Sequence, residues 1–205
     1  MTSTPAPFRY SDAQARAKAA ALAALRHGDG LAAAARAAID AAEAFLAEIV
    51  PAVGLEAQMA ALQCGAGCVQ CCHQMVGVTA AELALVQDAV AALPEPARGE
   101  TRARIAAIAA RGKGLDQAGW WAARLPCPLL DDHGRCVTHH ARPLPCRAMN
   151  SSDAAICRRS FDGEAVQIPV LAAQHRVHGS AQLGLAHALA EIKADTMVRA
   201  LATAL

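Results

Sequence analysis

Four thiols stand in one short run, Cys64-Gly65-Ala66-Gly67-Cys68-Val69-Gln70-Cys71-Cys72-His73. Thiolates packed this tightly repel one another unless a cation neutralises them. Cysteine sulfur is also a soft ligand, suited to zinc or to iron–sulfur clusters. The glycines beside these thiols let the backbone bend around a bound ion. Four more cysteines follow, Cys127, Cys136, Cys146 and Cys157, with eight, nine and ten residues between them. Cys68 and Cys71 make one Cys-x2-Cys knuckle, and the distal cysteines make no second one. That departs from the usual zinc ribbon without excluding zinc in another geometry.

Cys64, Cys68 and Cys71 have Cys-x3-Cys-x2-Cys spacing, which also holds the [4Fe–4S] cluster of radical S-adenosylmethionine enzymes. Those enzymes place it after the first strand of a partial barrel, and such barrels need about 200 residues or more. Here helix precedes and follows the motif, so that fold is rejected. The spacing still shows that three thiolates so arranged can ligate one cluster. Cys64, Cys68 and Cys71 are the first-choice ligands. A fourth comes from Cys127, Cys136 or Cys146, and Cys72, expected to point away from Cys71, serves a second ion or bridges two.

The wider pattern is Cys64-x3-Cys68-x2-Cys71-Cys72, Cys127-Pro128-Leu129-Leu130, Cys136, then Arg142-Pro143-x2-Cys146-Arg147. In order and chemistry it resembles the cysteine-cluster family called YkgJ-like, the CxxCxxCC zinc- or iron-chelating domain, over about Cys64 to Asn150. Two departures stand out. Aromatic residues common in that family after the Cys136 position and after the Cys146-Arg147 pair are replaced by Thr138-His139 and Met149-Asn150. The resemblance implies a metal site, zinc or iron, and no particular reaction. A related cysteine-cluster region is similar to one in the flagellin lysine methylase, which keeps an iron–sulfur enzyme open by analogy.

Arg142 and Arg147 flank the distal cysteines. They either offset the charge of a polythiolate site and donate hydrogen bonds to sulfur, or pair at the surface with Asp131 or Asp132, where such pairs contribute little. His73, His139 and His140 adjoin the cysteines but are expected to support rather than ligate, because thiolates are in excess. Trp120 and Trp121 read as core anchors. No nucleophile–base pair, phosphate-binding glycine loop or paired-carboxylate motif stands out.

A disulfide framework is disfavoured. Cys71 and Cys72 are neighbours that bridge each other poorly, and such frameworks belong mainly to small exported domains. The opening stretch, Met1 to Arg9, has no apolar core of signal-peptide type. The longest uncharged stretch, Ala57 to Ala81, holds the cysteine run and four glutamines and does not suit a membrane span. A net charge of +1 and 3% aromatics give no nucleic-acid footprint. The expectation is a cytoplasmic protein whose partner is a metal ion or cluster, with neither nucleic acid nor membrane.

The elements that must position these residues are mostly helices, since alanine is abundant and β-branched residues are sparse. Helices are expected from a Ser11 cap to Arg26, from Leu31 to Ile49, and briefly from Leu55 to Gln63. After the run, Thr79-Ala80-Ala81-Glu82 is a capping box opening a helix to Ala92. An amphipathic helix over Arg98 to Arg111 and a short one at Trp120-Trp121 follow. From Leu125 to Asn150, prolines and turn residues replace alanine, with one small hairpin at His133-Gly134. Ser151 or Ser152 caps a short helix carrying Cys157. Leu185, Leu189 and Ile192, then Met197, Leu201 and Leu205, continue helical spacing to the end. The fold class is mainly α: a helical domain around an irregular cysteine-rich metal-binding centre. It divides into a helical segment over 1–60, a cysteine-cluster domain over 61–160, and a helical segment over 161–205 packing on the same domain. The function is metal binding, by an iron–sulfur cluster ([4Fe–4S]) or zinc, in a structural or a metal- or redox-handling role. The alternative is an iron–sulfur-dependent enzyme, methyltransferase-like.

Overall fold

The computed structural model describes residues 8–205. Most of the opening stretch read for a targeting signal therefore lies outside the described residues. Helix α1 (Tyr10–His27) begins at Arg9, whose backbone N–H donates to the Asp12 carboxylate at 3.3 Å. Ser11, the expected cap, lies inside the first turn. Gly28 ends the helix in the left-handed region, φ 92°, where a Cβ would be strained. Helix α2 (Leu31–Ala52) follows after a two-glycine turn and carries Pro51 in its last turn. Helix α3 (Glu56–Ala60) leads to the cysteine run, where a 3-10 turn spans Gln70–His73.

Strand β1 (Gly77–Val78) feeds helix α4 (Ala80–Ala91) through the expected capping box: Thr79 accepts from Glu82 N–H while the Glu82 carboxylate accepts from Thr79 N–H. Helices α5 (Ala97–Gly112) and α6 (Gln117–Ala122) come next, α6 capped by Asp116. Then come the irregular segment, α7 (Leu144–Ala148), α8 (Ala154–Phe161) and the long α9 (Ala172–Glu191). Strand β2 (Arg199–Ala200) pairs antiparallel with β1, and α10 (Leu201–Ala204) follows it. The protein is mainly α, and the two-residue strand pair is its one sheet among the described residues.

Helical spacing does not carry through Met197. Helix α9 ends at Glu191, and Lys193 adopts φ 58° while Ala194 N–H caps back to Leu189. Met197 and Val198 are exposed, and of Met197, Leu201 and Leu205 only Leu201 is buried.

The main core joins α1, α2, α4, α7 and α9. Its inner faces are rich in small residues: Ala13, Ala17, Ala21, Ala34, Ala35, Ala38 and Ala42 are all fully buried. Short side chains let helix axes approach closely. At Gly184 on α9 the approach reaches backbone, because an added Cβ would stand 2.2 Å from the Gln14 carbonyl oxygen of α1. Alanine normally favours a helix over glycine by about 1 kcal/mol. Gly184→Ala is nonetheless expected to destabilise by about 1–3 kcal/mol, because α1 and α9 must separate to admit the methyl. Urea unfolding reads the sign; a stabilised variant would show that the two helices are not held this closely.

Two smaller clusters support the irregular segment. Val78, Val86, Val90, Leu129 and Leu201 pack with the partly buried Cys127 and Cys136. Ile108, Trp120 and Leu125 form the other, and Trp120 Nε1–H donates to the Leu125 carbonyl at 3.0 Å. Trp120 is thus a core anchor. Trp121 is only half-buried and sits edge-on to Phe161 at 5.6 Å, so it anchors a surface cluster instead.

Candidate metal centre

Three ties hold the cysteine run to the segment that carries the distal cysteines. The Cys127 N–H donates to the Cys72 carbonyl at 2.7 Å. The Gln63 N–H donates to the Ser151 carbonyl at 2.9 Å, and the Ser151 N–H returns to Cys64 Sγ at 3.1 Å. The turn at Asp131–Gly134 lies against the run, since a Cβ on Gly134 would meet Val69 Cγ1 at 2.8 Å. Gly134 has φ 69°, so both its backbone and its contact favour glycine. The expected hairpin is a single antiparallel bridge, Leu130 with Cys136, organised by the Asp131 carboxylate. That carboxylate accepts from the N–H groups of His133 (2.9 Å) and Arg135 (2.8 Å).

The thiols fall into two neighbourhoods that meet at Cys71. Cys64 and Cys68 feel the charge of Cys71 and of Cys157. Cys127 feels Cys136 and Cys71, and Cys146 feels Cys127, Cys136 and Cys71. Cys72 lies beside Cys71 and is the largest influence on it, followed by burial, so the Cys71 thiol is pushed far up. The expectation that Cys72 points away from Cys71 is therefore corrected: the tight 3-10 turn brings their side chains together. All eight cysteines are free thiols.

Burial and neighbouring thiols favour the protonated form of Cys64, Cys68, Cys71, Cys127 and Cys146. Desolvation pushes Cys127 from the ordinary 9.0 up to about 12, and pushes Cys146 well above 9.0. A thiol with a folded pKa above its unfolded value favours the fold while both states are protonated. That contribution is lost as pH rises through the folded value. Metal-free protein should accordingly lose stability between pH 9.0 and about 12, and Cys127→Ser should lose less of it. Urea midpoints at about pH 7 and about pH 10, with chelator present, read this. Parallel pH dependence in wild type and variant would remove Cys127 as a source.

The two arginines differ. Arg147 is committed to structure: its guanidinium reaches Glu43 on α2, the Arg142 carbonyl at 2.8 Å and the His140 carbonyl at 3.0 Å. Arg142 lowers the pKa of Cys64, Cys71 and Cys146. Its Nε is buried with no hydrogen-bond partner among the described residues. Asp131 pairs with Arg135 rather than with either. His73 bonds the Val69 carbonyl through Nδ1 at 3.1 Å and packs on Phe161. Burial, with Arg142 and Arg147 nearby, lowers the pKa of His139.

Cysteine spacing did not reveal the residues that hold these thiols in place. Gln70 lies 3.5 Å from Cys68 Sγ, and Thr138 Oγ1 lies 3.7 Å from Cys136 Sγ. Asn150 is buried; its side chain accepts from Leu171 N–H at 2.6 Å and donates to the Leu171 and Ala148 carbonyls. Where the resembled family has aromatics, this chain therefore has hydrogen-bonding side chains. The visible signal was only that Thr138 and Asn150 replaced aromatics.

Soft donors in excess, with backbone ties between the two segments that carry them and the Arg142 charge acting on Cys64, Cys71 and Cys146, are of the chemical type that takes a thiophilic ion or cluster. Among the described residues, no three His, Cys, Asp or Glu side chains are already arranged to hold a metal ion. Ligation would thus require thiol side chains to swing about their χ1 bonds. No helix of the described residues is long and apolar enough to cross a membrane.

No curated protein and no solved structure matches the chain. A family model does match residues 63–168, more than half of the 205 residues; its description is CxxCxxCC, putative zinc- or iron-chelating domain. With the cysteine run and the Arg-Pro-x2-Cys-Arg segment both inside that match, the chain belongs to the CxxCxxCC family.

Proposed function

We propose that this chain binds an iron–sulfur cluster, or alternatively zinc, through Cys64, Cys68 and Cys71 with a further thiolate. Cys72, Cys127, Cys136 and Cys146 serve as the remaining pool of ligands. The observation that carries the reading is the set of backbone ties bringing the run against the distal segment, with Cys71 between two groups of thiols. Iron–sulfur is preferred because a [4Fe–4S] cluster accepts a three-cysteine run plus one more distant cysteine, whereas structural zinc favours two close knuckles. When bound, a cluster supplies electron transfer or Lewis acidity, and zinc supplies a crosslink. The chain's own part is to present thiolates, to offset their charge with Arg142, and to donate a hydrogen bond from Ser151 N–H to Cys64.

The same reading keeps the three-part division at 1–60, 61–160 and 161–205, supported by α9 packing on α1 and α2. Eight free thiols suit a reducing compartment, which supports a cytoplasmic location. The enzymatic alternative is favoured by one feature. An open cleft of about 380 Å³ lies against Cys127, lined by His73, Arg104 and Asp131, within the size range of small-molecule sites.

Anaerobic isolation followed by absorption spectroscopy and metal analysis tests the proposal. The expected protein is brown, carries iron and acid-labile sulfide, and bleaches on reduction or in air. Colourless protein with stoichiometric zinc would overturn the iron–sulfur preference; protein with no metal would overturn both. Because metal binding energy is also folding energy, stripping should raise amide exchange over Leu125 to Asn150 more than over α1 or α9. Equal exchange in both states would count against a stapling role.

A further inference from the structure

Three elements wall the cleft beside Cys127, and each brings a polar group that the protein itself does not neutralise. From α5 comes Arg104, half-buried. Its Nε–H donates to the Pro128 carbonyl at 3.2 Å and its Nη2–H to Thr101 Oγ1 at 2.9 Å. Thr101 is fully buried and donates in turn to the Ala97 carbonyl at 2.8 Å, so the guanidinium is fastened to a rigid wall. Among the described residues no carboxylate pairs with it, and Nη1 has no protein partner. From the cysteine run comes His73. Its Nδ1 lies 3.1 Å from the Val69 carbonyl, which can only accept, so in the neutral ring Nδ1 holds the proton and Nε2 keeps its lone pair. Phe161 of α8 packs on this ring at 4.7 Å, and Arg124 stacks over Phe161 at 4.8 Å, which holds the imidazole in place. From the turn at Asp131–Gly134 comes Asp132, exposed at the rim. Asp131 is occupied by Arg135 and by the His133 N–H, whereas the Asp132 carboxylate has neither ion pair nor hydrogen bond among the described residues. Between these groups the lining is apolar, from Val69, Ile108, Pro126, Pro128 and Leu130.

We propose that this cleft binds a small zwitterion of the amino-acid class, one with an apolar side chain. The Arg104 guanidinium takes the carboxylate, Asp132 and His73 Nε2 take the ammonium, and the side chain lies against Ile108 and Leu130. Charge complementarity selects this class. A guanidinium already held by two hydrogen bonds recognises a carboxylate with little further loss of side-chain freedom. A simple organic acid would bring a second negative charge to Asp132, and a simple amine would leave Arg104 unmatched. A molecule carrying both charges answers both ends. A volume of about 380 Å³ admits a whole amino acid with its side chain. The inference deepens the enzymatic alternative above by naming the class of molecule its cleft takes, and none of the contacts it invokes runs through a metal.

Isothermal titration calorimetry of the full chain with L-leucine, isocaproate and isopentylamine tests it, with every other standard amino acid run in the same assay and metal content measured in parallel. The two analogues are leucine without its amine and leucine without its carboxylate. Leucine or another apolar amino acid should bind at least about tenfold more tightly than either analogue. Arg104→Ala should weaken leucine and isocaproate alike. Asp132→Asn, at an exposed position that leaves the fold intact, should weaken leucine at least about fivefold and leave isocaproate unchanged. Equal affinity for leucine and isocaproate would overturn the proposal, as would amino-acid binding that neither variant alters. No binding by any standard amino acid to metal-loaded protein would overturn it and leave metal binding standing. Selective binding to protein that carries no metal would support it while sinking the metal reading.

Discussion

Serine in place of Cys71 is expected to cost more metal affinity than serine at any other single cysteine. Cys71 is the thiol that both neighbourhoods feel: Cys64 and Cys68 on one side, Cys127 and Cys146 on the other. A serine hydroxyl is harder than a thiolate and stays protonated near neutrality, so it cannot replace the sulfur. The expected loss exceeds about 100-fold, the upper range for residues that merely support a ligand. Competition against a chromophoric chelator measures it. Cys72→Ser is the informative companion, since Cys72 lies beside Cys71 in the same 3-10 turn. Affinity within about twofold of wild type in Cys71→Ser would remove Cys71 from the centre of the site.

The second large effect is expected at Glu82. Its carboxylate is fully buried and accepts four donors: Thr79 N–H at 2.9 Å, Thr79 Oγ1–H at 3.0 Å, Gln182 Nε2–H at 3.0 Å and Leu144 N–H at 2.9 Å. Burial still leaves its pKa above the ordinary carboxylate value. One residue thus joins α4, α9 and the first turn of α7, which carries Cys146. Glu82→Ala leaves those donors without an acceptor and opens a cavity, for an expected loss of about 3–5 kcal/mol. Glu82→Gln keeps the volume but turns an amide N–H toward a donor, for about 1–3 kcal/mol. Urea unfolding gives both values. Alkylation of Cys146 in the stripped alanine variant should also accelerate, because α7 loses its anchor. An alanine variant as stable as wild type would show that the carboxylate is not the tie.

Helices were legible where their signals are local. The capping box at Thr79 and Glu82 marks α4, and the glycines after α1 mark its end, because these devices act within four residues. The caps of α1 and α8 were misplaced onto nearby serines, since Arg9 and Asp153 do that work instead. Strands β1 and β2 are two residues each, too short to show any alternation. In the candidate site, residue types and spacing named the thiols. They could not show that Arg147 is occupied by Glu43 while Arg142 Nε is left unpaired, nor that α8 docks on the run. Both follow from contacts between residues far apart in sequence, which no spacing rule encodes.

The seating of Gly184 of α9 against Gln14 of α1 bears on the order of assembly. These helices are far apart in sequence, so the contact closes a very long loop and is entropically late. During synthesis α1 emerges first and exposes its alanine face, and every cysteine follows before α9 is complete. The nascent chain therefore displays eight thiols on an unfinished scaffold, in a window when oxidation or capture by a stray ion competes with folding. The tight helix pair works as a late latch. Delivery of metal is best timed to its closing, which makes loading as much a problem of folding kinetics as of affinity.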